Sequence, residues 1–145
     1  MKEKNELLLH IYKDAEMGEY TTNILLKDLK KKDNKIKKTL EDILKEYENF
    51  KNKSKKLLEK ENAEIKENNI FSKMMAKMGI NKEVSNDNSD SALADMLIRG
   101  ISMGSIEMEK KVKSYEEEVS KETLDLAKKF LTFQEKAIEI FKDYL

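Results

Sequence analysis

The sequence predicts an all-α fold: one four-helix bundle made of two similar helical hairpins. Three observations carry this expectation. Apolar residues recur at steps of three and four along most of the chain. Proline is absent and glycine occurs only four times. The apolar pattern of the first half returns in the second. At 145 residues the chain fits a single domain, 1–145, and is long enough to bury a core. Charged residues at 40% and hydrophobic ones at 39% give the balance of long amphipathic helices.

The first long helix is read from Leu7, Ile11, Ala15, Gly18, Thr22, Leu25 and Leu29, which share one stripe. Lys30 to Lys32 suit its C-terminal dipole, and Asp33 or Asn34 is placed to cap the next helix. That second helix carries Ile36, Leu40, Ile43, Leu44, Tyr47, Phe50, Leu57 and Leu58. The short connection predicts antiparallel neighbours, a first hairpin over about 3–65. The pattern weakens from Lys66. Ile70, Phe71, Met74, Met75 and Met78 predict a short helix that Gly79 stops, followed by a mobile polar stretch over 81–91. Ser89, Asp90 or Ser91 caps the third long helix, which runs to about Glu118, and Ser120 caps the fourth. These form the second hairpin, about 91–145.

One constant displacement lays Leu7 on Leu93, Ile11 on Leu97, Ala15 on Ile101, Gly18 on Gly104 and Leu29 on Tyr115. Leu25 alone falls on a charged residue, Lys111. A similar displacement lays Thr39-Leu40 on Thr123-Leu124 and Tyr47 on Leu131. This predicts an internal repeat of one hairpin. A helix of ~28 residues is about 42 Å long, and the crossover at about 66–90 can span that length. Such a crossover makes the second and third long helices parallel; a bundle with short loops is the alternative.

Lys plus Arg and Asp plus Glu each number 29, so no basic surplus exists to displace counterions from nucleic acid. No window approaches the ~18 apolar residues of a membrane span. The start, Met1-Lys2-Glu3-Lys4, predicts no secretory leader. Without cysteine there is no disulfide scaffold, thiolate metal site or cysteine nucleophile. A cytoplasmic location is the expectation, and the abundance of Lys, Asn and Ile suggests a bacterial source.

Duplicated hairpins, a long middle crossover and this chain length resemble the ferritin-like superfamily, and within it small uncharacterised bacterial proteins. The likeness covers the whole chain in pattern. It implies a crossover bundle and, in many members, two irons held by a Glu on the first and third helices and a Glu-x-x-His on the other two. That ligand pattern is broken here. His10 is the single histidine, and no Glu-x-x-His occurs. By helical geometry Glu16 points more than about 120° from its core stripe and Glu107 about 85° from its own. Glu107 and Glu135 remain the candidates for an atypical carboxylate site for iron or manganese. No metal or other cofactor is otherwise expected.

Gly18 and Gly104, inside helices at a cost of ~1 kcal/mol each, predict either close approach of the first and third helices or a small cavity. A second apolar strip departs from the bundle pattern: Leu9, Met17, Tyr20 and Ile24, then Met96, Met103 and Ile106, then Leu126, Phe130, Phe133, Ala137 and Tyr144. Of these, Met17, Tyr20, Met103, Ile106, Phe130 and Phe133 are the candidate interaction surface, for which a homodimer is the simplest use. The other reading is a wider core completed by the crossover helix, with Met74, Met75 and Met78 packed on the bundle. No phosphate loop or nucleophile motif occurs. The leading expectation is a non-enzymatic structural or interaction protein that self-associates. The alternatives are a metal-binding or redox bundle and a bundle that binds a small apolar ligand.

Overall fold

The computed structural model describes residues 5–145. The expected start of the first hairpin at residue 3, and the segment read for a leader, lie outside the described residues. These form five helices and no strand: α1 Glu6–Asp28, α2 Ile36–Lys60, α3 Ile70–Asn86, α4 Asp90–Tyr115 and α5 Lys121–Lys142. The chain is all-α. No helix is long and apolar enough to cross a membrane among the described residues.

The ends of the helices show which way each one runs. The α1–α2 connection meets the start of α4: Asn34 Nδ2 donates to Asp90 Oδ1 at 2.9 Å and to the Asn88 carbonyl at 2.8 Å. The start of α1 meets the end of α4, where Lys111 Nζ bonds Glu6 Oε1 at 2.5 Å and the Tyr115 hydroxyl bonds the same carboxylate. Thr39 on α2 shares a 2.6 Å hydrogen bond with Tyr144 just beyond α5, and Lys60 lies 3.3 Å from Glu122 at the other end. Hence α1 and α5 run one way, α2 and α4 the other, and the connection between α2 and α4 returns along the length of the molecule.

The core lies between α1, α2, α4 and α5. Its stripes are those of the heptad-like spacing, with Leu7, Ile11, Ala15 and Leu25 of α1 against Ile36, Leu40, Ile43 and Leu58 of α2. Four rings join α2 to α5: Tyr47 meets Phe133 edge-on at 5.0 Å, and Phe50 meets Phe130 at 5.0 Å. Phe130 and Phe133 are therefore core, not a surface strip. Helix α5 has a wide apolar face because it packs against three neighbours, α1, α2 and α4.

The structure corrects several expectations about the caps and the crossover. The cap of α2 is neither Asp33 nor Asn34; Asp90 accepts from the Lys35 and Ile36 amides at 3.1 and 3.5 Å. Ser89 and Ser120 do cap α4 and α5. Helix α2 ends in a Schellman turn, with Asn62 at φ 55°, Asn62 N donating to the Glu59 carbonyl and Ala63 N to that of Leu58. Gly79 does not stop α3, which continues to Asn86, so the first half of the stretch expected to be mobile is helix. The Asn69 side chain caps its start, accepting from Ser72 N at 2.7 Å.

Helix α3 lies over the seam between α1 and α4. It turns Lys73, Ala76, Ile80 and Val84 inward and Phe71, Met74, Met75 and Met78 outward. Both faces carry apolar residues, which is why the outer set read as a packing stripe. In this chain those methionines are exposed.

Candidate functional site: an internal cavity lined by glycines

A half-open cavity of about 440 Å³ lies among the five helices, each of which contributes to its wall. Helix α1 supplies Asp14, Met17, Gly18, Thr21 and Leu25; α2 supplies Leu40, Ile43 and Tyr47; α5 supplies Gln134 and Phe141. The crossover helix closes it with Ala76, Gly79 and Ile80, and α4 with Met96, Leu97, Gly100 and Gly104. All four glycines of the chain line this one space.

The glycines act in two ways. A Cβ at Gly18 would overlap the ring of Tyr47 on α2, and one at Gly104 would press on Gln134 Nε2 at 3.2 Å with Asp14 beyond it. Each gives way to a side chain that enters the interior. Gly18 faces α2 of its own hairpin, whereas Gly104 faces both α5 and, through Asp14 at 3.5 Å, α1. Gly79 and Gly100 differ: both are exposed on their outer side, and a Cβ at either meets nothing within 4 Å. They mark the mouth, between α3 and α4.

Polar groups gather at mid-height. Gln134 is 2% exposed, and its Nε2 donates to Asp14 Oδ2 at 3.2 Å. A carboxylate only accepts, so the amide turns its NH2 to Asp14. Its Oε1 is buried without a hydrogen-bond partner. Such an orphan acceptor costs about 1–3 kcal/mol. Burial pushes the Asp14 carboxyl above the usual range, while His10 one turn earlier and the Gln134 hydrogen bond hold it down. Burial lowers the His10 imidazole, against the pull of Asp14; its Nε2 is also buried without a partner. Tyr47 is raised by burial and by Asp14.

Compared with family models, curated proteins and solved structures, the chain matches none.

The remaining candidates are distributed as follows. Glu107 and Glu135 are exposed, and Glu107 lies 3.7 Å from Lys110. Among the described residues no three His, Cys, Asp or Glu side chains gather as metal ligands. The residues thus do not fit the two-iron site that the ferritin-like resemblance implies. Met17 and Tyr20 are half-buried beneath α3: Met17 lines the cavity, and Lys73 Nζ sits 5.5 Å from the Tyr20 ring centre. Met103, 71% exposed, and Ile106, 54% exposed, stay on the surface.

Gly100, one turn before Gly104, extends the small-residue surface that the sequence suggests, whereas Asp14, Gln134 and Gly79 complete the site without having been singled out for it. Their common signal was available in part. An Asp within an apolar helix stretch and a Gln on the core face are buried polar positions, which require partners.

Proposed function

We propose that this protein is a non-enzymatic helical bundle whose role is to hold a small, mainly apolar molecule in its internal cavity. The carrying observation is that every glycine in the chain lines that cavity. Helical glycine costs up to ~1 kcal/mol relative to Ala, and here the cost falls where side chains would occupy the space or its mouth. A volume of about 440 Å³ lies within the range of small-molecule sites. The helix directions support an arrangement like that of the ferritin-like superfamily, with the crossover helix serving as the cover. The nearest neighbour of each core glycine, on the other helix of its own hairpin, supports the reading of an internal repeat. A cytoplasmic bacterial setting accords with the lack of cysteine.

The test uses an uncharged environment-sensitive apolar dye such as N-phenyl-1-naphthylamine. We expect one dye per chain, with G100L and G79L each weakening binding about tenfold or more while the melting temperature holds or rises. Unchanged dye binding in both variants would end this reading. Loss of binding instead in M74E/M75E would move the dye to the outside of α3.

A second reading, self-association, is favoured by the exposed apolar residues Phe71, Met74, Met75 and Met78 on α3 with Met103 and Ile106 on α4. The two readings are compatible, since one uses the inside of the cover and the other its outside.

A further inference from the structure

The cavity is chemically one-sided. Toward the end formed by the last turns of α1 and the first of α2 it is walled by Leu25, Leu40 and Phe141. Asp14 lies eleven residues before Leu25 on α1, about 16 Å away along the helix, and brings with it Gln134. Asp14 and Glu83 are the acidic members of the wall, and none of its described residues is Lys or Arg. That lack of a basic residue is notable in a chain with 29 of them. Gln134 adds a buried carbonyl oxygen that no protein group satisfies.

We infer that the ligand is an amphipathic amine, its alkyl part along the Leu25–Phe141 wall and its protonated head donating to Asp14 and the Gln134 carbonyl oxygen. This rests on the cavity reading above and specifies its ligand. An ammonium brings three donors and no acceptor, which suits the Asp14 carboxylate and the unpartnered Gln134 oxygen beside it. A carboxylate head would meet Asp14 as a like charge. An alcohol would satisfy one acceptor and leave the charge unpaired. Burial disfavours the ionised form of Asp14 in the empty protein, and a cation beside it would offset that cost. Glu83, exposed at the mouth, favours approach of the same sign of charge.

The experiment compares octylamine, octan-1-ol and octanoate by calorimetric titration at neutral pH, on the full chain and on D14N, with the melting temperature of each. Octylamine should bind about tenfold tighter than octanol, a buried charged hydrogen bond against a neutral one, and octanoate weakest. D14N should erase the amine's advantage and leave octanol unchanged. If D14N does not fold, Q134M replaces it, with a partial loss of the advantage expected; in the unmodified protein the Gln134 side-chain amide resonances should move on adding octylamine. Equal binding of the three probes, or tightest binding of octanoate, would overturn the amine assignment while leaving the cavity reading standing. Binding of none would overturn both.

Discussion

At Gly18 and Gly79 the same substitution should have opposite effects. Both are helical, and neither has positive φ. G79A adds a methyl to open space and gains helix propensity, so stability should rise by about 0.5–1 kcal/mol. G18A drives a methyl into Tyr47, whose ring is held against Phe133. Overpacking of this kind costs about 1–3 kcal/mol, and the penalty should vanish in a Y47L background. Urea unfolding of the unmodified protein, G79A, G18A, Y47L and G18A/Y47L measures these effects. His10 provides a second residue-scale prediction. Its pKa is lowered by burial and pulled upward by Asp14, with Glu107 and Glu6 adding to that pull and Lys111 opposing it. The folded state therefore prefers the neutral ring. Its contribution is full above the unfolded value, about 6.5, and is lost as pH falls from there toward the folded midpoint. Asp14 acts with the opposite sign: its raised pKa favours the native state at low pH, an advantage lost as pH rises through the folded value. In D14N the carboxylate that supports the imidazolium is gone, so the His10 NMR midpoint should drop further. A rise would show that the two groups are not coupled as described.

Among the elements, α3 depends most on single side chains. Glu16, 8% exposed, accepts from Asn68 N at 3.1 Å and Asn68 Nδ2 at 3.0 Å, and Lys73 Nζ lies 3.4 Å away. The Asn68 amide also donates to the Lys13 carbonyl at 2.7 Å. Together these hold the start of the cover helix on α1. E16A should release it: hydrogen exchange should quicken across α3 first, with a global loss of about 1–2 kcal/mol. Uniform quickening in all helices would instead make Glu16 a general core residue. The single-stripe reading of α1 put Glu16 far from the core because it allowed that helix one buried face. The crossover supplies a second, which the strip of Leu9, Met17, Tyr20 and Ile24 announces for apolar side chains but not for a buried carboxylate. Likewise Gly79 reads as a stop because glycine often follows a helix end; here it stays helical and opens a wall.

For the whole molecule, the helical class and the four long helices were legible because the stripes of α1, α2 and α4 bury most of the residues their spacing selects, with Leu44, Leu57 and Leu97 half-buried. The two caps Ser89 and Ser120 were legible for the same local reason. What escaped was set by contacts distant in sequence. Phe130 and Phe133 read as surplus apolar surface until α2 places Tyr47 and Phe50 against them. Asp14 and Gln134, 120 positions apart, meet only in the folded chain. The surplus apolar surface that does remain is on α3 and α4. If it joins two copies, light scattering should give twice the 17.0 kDa chain mass, and M74E/M75E/M78E should return it to one. A single-chain mass before substitution would leave that face without a second copy.

The hydrogen bonds from Lys35 N and Ile36 N to Asp90 also bear on the order in which the protein is made. Helix α2 has no cap from its own neighbourhood; its first turn waits for a carboxylate more than fifty residues downstream. During synthesis the first hairpin therefore leaves the ribosome with one helix end open, and gains its stopper only when the second hairpin begins. A peptide of residues 5–65 should fray from Ile36, and the complete chain should hold that turn. Asp90 thereby links completion of the first half to arrival of the second.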